Sequence, residues 1–174
     1  MRAKPVVTNA HTFDFDDTLI KSDVKTLLYR DGKLIKSLTP AEYNVYKKQP
    51  NDTFDMSDFD DPTLIEQAKK YIMWPLLEKY DKENNSMIYI LTARHNEAKI
   101  PIFEFITKNG IKNVPIENIF TIGDNKGLIN IPVEKRKVME IIAKQHLITY
   151  FYDDNIETIE FIKNIPGLKA YLVE

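Results

Sequence analysis

The chain has 174 residues, 43% hydrophobic and 29% charged, the balance of one globular domain able to bury a sizeable core. A formal net charge of -2 gives no global basic field for nucleic acid or anionic membrane, and the absence of cysteine excludes thiol catalysis, disulfides and cysteine–zinc sites. The opening MRAKPVVTNAHTFDF is too short and polar for a signal peptide, and no run reaches the ~18 apolar residues of a membrane span, so a soluble cytoplasmic protein that does not engage membranes is expected.

The elements follow in chain order. Ala10–Phe15 is a predicted strand ending at Asp14-Phe15-Asp16-Asp17. Val24–Tyr29 and Lys33–Leu38 flank Asp31-Gly32, a hairpin turn signal. Thr39 and Pro40 supply an N-cap and first residue for a helix. Gln49–Asp61 reads as an acidic loop. Pro62–Tyr80 has helical periodicity, with Pro75 expected to kink or split it. Ser86–Thr92 is an apolar strand, and Asn96–Lys108 a helix stopped by Asn109-Gly110. Ile116–Ile122 is a weaker strand and Val133–Gln145 an amphipathic helix. Leu147–Tyr152 is a buried strand running into Asp153-Asp154, followed by a helix over Ile156–Lys163 and a last strand over Leu168–Val173.

This alternation implies an α/β fold: a three-layer, Rossmann-like parallel sheet with right-handed crossovers. Ligands bind such sheets beyond the carboxyl ends of the strands. Those ends carry Asp14 to Asp17, then Thr92 with Ala93 and Arg94, then Asp153 and Asp154.

The tetrapeptide DFDD occurs twice, at 14–17 and at 58–61. The first copy leaves a buried strand, whose alternation turns Asp14 and Asp16 to one side and Phe15 to the other. Paired carboxylates call for a shared proton or a bound cation. The second copy follows no buried strand and precedes Pro62, so Asp60 or Asp61 reads as a helix cap and the rest as solvated. His11, His95 and His146 have no ligand-like spacing, and Trp74 reads as core or lid packing.

Four ordered stretches resemble the motifs of haloacid-dehalogenase-like (HAD) hydrolases. FDFDDTL resembles the first motif and IYILTAR the second; a lysine on the helix before the last acidic strand matches the third, and ITYFYDDN the fourth. The hairpin resembles that family's flap. No large cap is expected, and residues 20–61 would supply the flap and a small lid. FDMSDF, YILTAR and YFYDDNIETIEFIKNIPGLKAYLV are also similar to the phosphatase module of phage polynucleotide kinases, from which Phe120–Pro132 departs.

The resemblance implies a Mg²⁺-dependent phosphomonoester hydrolase. Asp14 would be the nucleophile and form an aspartyl-phosphate. Asp16 would protonate the leaving oxygen, a proton that its acidic neighbours Asp14 and Asp17 would favour. Thr92, Ala93, Arg94 and Lys135 would contact the phosphoryl group. Mg²⁺ would be held by Asp14, the Asp16 main chain, Asp153 and Asp154. Substrates implied are a phosphorylated small molecule, a nucleotide or a nucleic-acid end. Helical spacing separates the lysines: Val138, Met139 and Ile142 share the Lys135 face, whereas Glu140, Ile141 and Lys144 share that of Lys137. Lys126, in the preceding loop, is the alternative cation.

Two other readings stay open at this level. A receiver-like switch would use Asp16 and Asp17 with Asp58 or Asp60 as acceptor, then Thr92 and Lys135. It leaves Asp153-Asp154 unexplained and has no buried strand to deliver Asp58. A non-catalytic HAD-fold regulatory module is the other; the intact Asp14, Asp16, Thr92 and Asp154 argue against it.

Overall fold

The computed structural model describes residues 8–124 and 126–174. The first seven residues, which open the stretch read above against a signal peptide, and Asn125, within the departing segment, lie outside the described residues. The centre is a parallel sheet of five strands in the order β10-β9-β1-β7-β8. These strands are β1 (Asn9–Phe13), β7 (Ser86–Thr92), β8 (Ile119–Thr121), β9 (Thr149–Asp153) and β10 (Leu168–Leu172). β1 lies in the middle, paired with β7 on one side and β9 on the other. Both neighbours therefore bring their carboxyl ends alongside that of β1.

The two faces follow from strand alternation. Phe13, Ile88, Ile90 and Tyr152 pack with Trp74 and Leu77 of α3 (Trp74–Asp81) and with Ile102, Phe105 and Ile106 of α4 (Lys99–Lys108). Ala10, Tyr89, Leu91 and Phe151 pack with Met139 and Ile142 of α5 (Ile131–Gln145) and with Ile159 and Ile162 of α6 (Ile156–Ile162). The expected three layers are present, and Trp74 is a core residue.

The hairpin forms as β3 (Thr26–Arg30) and β4 (Lys33–Leu38), turning through Asp31 and Gly32, both at positive φ. The expected acidic loop is different. Its segment β5 (Asp52–Asp55) pairs with the free edge of β3 and makes a sheet of three strands. A polar DTFD segment can be a strand here because Asp52 is neutralised within the fold. Arg30 Nε donates to it at 2.7 Å, as does the Tyr46 hydroxyl. The helix α1 (Pro40–Val45) runs from the β4 end under a reciprocal Thr39–Glu42 capping box.

The expected helix over Pro62–Tyr80 is also different. It is two helices, α2 (Pro62–Glu66) and α3, separated by β6 (Lys69–Lys70), which pairs with β2 (Ile20–Lys21). The break falls before Pro75, which sits in the first turn of α3 where its missing N–H costs nothing. Tyr71 and Met73 instead donate their amides to the carbonyls of Leu19 and Thr18, tying this connection to the segment after the first DFDD. Among the described residues, no helix is long and apolar enough to cross a membrane.

Candidate active site

Asp14 follows β1 and continues its ladder, donating its amide to the Tyr152 carbonyl at 2.9 Å. Its side chain is buried, and Lys135 Nζ donates to its Oδ1 at 2.7 Å. The same ammonium donates to Asp153 Oδ2 at 2.6 Å. Lys135 reaches inward because Lys135, Met139 and Ile142 share one face of α5 and are its buried residues. Lys137 lies on the outside, paired with Glu134. Lys126 is exposed in the loop before α5.

Asp154 completes the cluster. One oxygen from each of Asp14, Asp153 and Asp154 lies within 4.8 Å of the others. Burial pushes the Asp14 carboxyl well above the usual carboxylate range; Lys135 opposes that shift and Asp153 and Asp154 add to it. Burial and the adjacent Asp153 push Asp154 up to about 6. Burial alone would lower the Lys135 ammonium, but Asp14 and Asp153 hold its pKa above its usual value. The three carboxylates thus face one internal ammonium. An all-oxygen, excess-negative donor set fits a hard divalent cation such as Mg²⁺.

The Asp16 side chain stands outside the group of three carboxylates, and the contact expected of Asp16 with a metal is its main chain. Arg94, at the exit of β7, donates from Nε to Asp16 Oδ2 at 2.9 Å and from Nη2 to Oδ1 at 2.7 Å. The neighbour that engages Asp16 is therefore a guanidinium, not Asp14 or Asp17. Asp17, at φ 56, pairs with Lys21 at 2.8 Å. Thr92 is buried and its hydroxyl oxygen accepts the Arg94 amide at 3.2 Å. Ala93 and Arg94 border the cavity, whereas Thr92 is not among its lining residues.

The cavity has a volume of about 440 Å³ and takes in Asp14, Asp16, Lys135, Asp153 and Asp154 on its floor. Its roof was only partly anticipated. Thr26 of β3, Tyr43 of α1, and Phe54, Met56 and Phe59 cover the strand ends. The hydroxyls of Thr26 and Thr158, both buried, have no hydrogen-bond partner among the described residues. The loop after β8 forms another wall. A Cβ on Gly123 would stand 1.8 Å from the Ala93 carbonyl oxygen, so only glycine lets this loop pass so close. No local sequence pattern marks that approach, because Ala93 and Gly123 are brought together by the pairing of β7 with β8.

The second DFDD is a tertiary clip. Asp61 caps α2, accepting the Thr63 amide at 2.8 Å. Asp58, expected to be solvated, accepts the Lys25 amide at 3.0 Å. Phe59 gives its carbonyl to Arg94 Nη1, and Asp60 faces His95 at 3.7 Å. His95 has no ligand-like spacing in the sequence. It does not join the Asp14 cluster; it, Asp60 and Glu97 bring ligand-type atoms within 4.8 Å of one another.

No protein-family model matches the chain, and no curated protein matches it. Solved structures do. A chain in the structure of the Pnkp1/Rnl/Hen1 RNA repair complex is similar at TM-score 0.58 and 14% identity, over 99% of this chain and 44% of that one. A chain in a second Pnkp1/Rnl/Hen1 complex is similar at TM-score 0.58 and 15% identity, over 98% of this chain and 47% of that one. The present chain thus spans less than half the length of these two. The HAD domain of the effector Lem4 from Legionella pneumophila, an inactive mutant, is similar at TM-score 0.51 and 15% identity, over 97% of this chain and 86% of that one. The parallel sheet and its flanking helices have the fold of a HAD domain.

Proposed function

We propose that this chain is a phosphomonoester hydrolase that works through an aspartyl-phosphate on Asp14. The observation that carries the reading is the buried contact of Lys135 with both Asp14 and Asp153, beside Asp154, on the floor of a roofed cavity. Burying an ammonium with two carboxylates carries a desolvation cost that apolar packing would avoid, and such clusters in a cleft mark functional sites. Here the ammonium holds the Asp14 carboxylate for attack and offers positive charge where phosphoryl oxygens would lie.

In the first step an Asp14 oxygen bonds to phosphorus and the bond to the leaving oxygen breaks. Asp16 delivers the proton that the leaving oxygen takes up. In the second step water attacks the same phosphorus, its proton passes to Asp16, and Asp14 is released as phosphate departs. Ala93 and Arg94 border the phosphoryl end of the cavity, and Thr92 supports Arg94 from below. Asp14, Asp153 and Asp154, with the Asp16 main chain, would hold Mg²⁺, which when bound neutralises charge on the phosphoryl group. Residues 20–61 act with the sheet as one unit, a flap and lid that keep water from the floor.

A nucleotide or a nucleic-acid end phosphate is the substrate class we favour among phosphorylated small molecules. Two observations support it: the aromatic roof of Tyr43, Phe54 and Phe59, and the similarity to chains of an RNA repair complex. The test is a panel of phosphate esters with Mg²⁺, including nucleotides and 3′-phosphorylated oligonucleotides. Release of phosphate that stops on exhaustive chelation is expected. Activity that survives chelation overturns the metal assignment, and no release from any ester overturns the enzyme.

A further inference from the structure

This inference rests on the phosphatase reading and concerns what Arg94 does there. The Arg94 side chain has no solvent exposure. Its Nε and Nη2 hold the two oxygens of Asp16, and its Nη1 holds the Phe59 carbonyl. Its guanidinium carbon lies 5.5 Å from the Phe15 ring centroid and 5.2 Å from that of Phe59. Each nitrogen of the fork thus has a partner within the protein, and the edge that grips an anion with two parallel bonds, Nε with Nη2, is taken by Asp16. That edge is not open to a phosphoryl oxygen, the role its position after Thr92 invites.

We propose that Arg94 is the positioning residue for Asp16 and that it ties this carboxylate to the lid. The fork fixes the plane of the Asp16 carboxylate, and its third nitrogen makes that plane depend on Phe59 being docked. The lid segment is held there by Asp58 on the Lys25 amide and by Asp60 facing His95. A lysine cannot replace this arrangement. It keeps the charge but loses the planar two-pronged grip.

The consequence is specific to the proton. In the first step the electron pair of the breaking P–O bond takes the proton from the Asp16 carboxyl. A leaving group of low pKa departs without it; an alkoxide does not. Loss of Arg94 should therefore cost most where the leaving group is poorest. A residue that only bound the phosphoryl group would cost the same for every ester.

The experiment uses the full chain with Mg²⁺ and a series of aryl phosphates of rising leaving-group pKa, ending with an alkyl phosphate. The readout is kcat/KM, which reports the first step. Arg94→Lys and Arg94→Met should both lose about 10²-fold on the alkyl ester and only a few-fold on 4-nitrophenyl phosphate. In an Asp16→Asn background the same changes should add less than about threefold, because both act on one group. An equal loss on every ester, recovery by Arg94→Lys, or additivity with Asp16→Asn overturns the proposal. Wild-type protein supplies an arm that does not depend on a variant folding. The Arg94 Nε–H should stay protected from hydrogen exchange when Mg²⁺ and orthovanadate are added; loss of that protection on addition shows Arg94 leaving Asp16 and overturns the proposal. A wild type inactive on every ester removes the phosphatase reading and this inference together. A leaving-group dependence no steeper in the Arg94 variants than in an active wild type removes this inference alone.

Discussion

The two DFDD copies are the same four residues in two physical settings. The first follows the central strand of a parallel sheet, so its Asp14 is delivered between β7 and β9, where Lys135 and Asp153 meet it. The second follows β5, a strand at the rim of a separate antiparallel sheet, and lies in the short helical turn Ser57–Asp60. Its carboxylates take backbone amides and a histidine instead of an ammonium. Carboxylates acquire chemistry from what faces them. Burial that raises the Asp14 and Asp154 carboxyls makes the first copy a place where cations are needed. The second copy fastens its own segment to Lys25 and Arg94.

The sharpest way to break this comparison is Asp14→Asn. A loss of at least about 10³-fold in kcat is expected, since the proposed reading puts the phosphoryl bond on Asp14. Beryllofluoride added to the wild type should form its adduct on Asp14. An adduct on Asp58 or Asp60 would reverse the roles of the two copies and restore the receiver reading.

Much of this was legible in the sequence because buried parallel strands announce themselves as apolar runs. Phe13, Leu91 and Phe151 mark their strands, and the acids and Thr92 follow at the ends. Lys135 was legible for the same reason, its face of α5 being apolar at Val138, Met139 and Ile142. Two things were not. The strand β5 is polar in sequence and depends on Arg30 and Tyr46, which lie 22 and 6 residues from Asp52. The Arg94–Asp16 pair joins positions 78 residues apart, and no local spacing encodes it. Acidic neighbours in sequence suggested that Asp14 and Asp17 set the surroundings of Asp16. Strand order put Arg94 there.

The next largest effect separates two lysines. Lys135→Met should lower kcat by about 10²-fold, about 2.7 kcal/mol of transition-state stabilisation. It should also destabilise the metal-free protein, because Asp14 and Asp153 lose their shared partner inside the fold. Lys137→Met, which removes only an exposed pair with Glu134, should change kcat little. Equal small losses would take Lys135 out of the site and direct the search to Lys126.

The strand beneath the first copy carries a buried titratable group that the second copy lacks. His11 of β1 stacks between Tyr80, at 3.4 Å between centroids, and Tyr150, at 4.7 Å. Burial lowers its pKa from 6.5 to about 4, with Glu83 opposing the shift and Lys79 adding to it. Between those values the unfolded chain binds the proton and the folded one does not. His11 therefore costs stability as pH falls from about 6.5 toward 4, and the loss reverses as pH rises. His11→Phe keeps the stack and removes the proton. The drop in unfolding free energy between pH 7 and pH 4.5 should be smaller in the variant by roughly 2 kcal/mol. An unchanged drop would mean that His11 titrates alike in both states and that the central strand is not what acid loosens.

The smallest effect isolates the second copy. Asp61 is exposed, and its carboxylate accepts the Thr63 amide at the start of α2. Pro62 already supplies the first helical residue, so the carboxylate is needed only for an orphan amide near the helix end. Asp61→Ala should cost about 1 kcal/mol of stability, the usual value of an N-cap, with kcat within a few-fold of wild type. Asp58→Asn is a second sample of the same kind, since an amide oxygen can still accept from the Lys25 N–H. Neither residue touches the Asp14 cluster, so the two effects should appear in urea unfolding and not in turnover. A large fall in kcat for Asp61→Ala, with the fold intact, would mean that α2 moves during the reaction. The second DFDD would then be part of the working lid as well as its fastening.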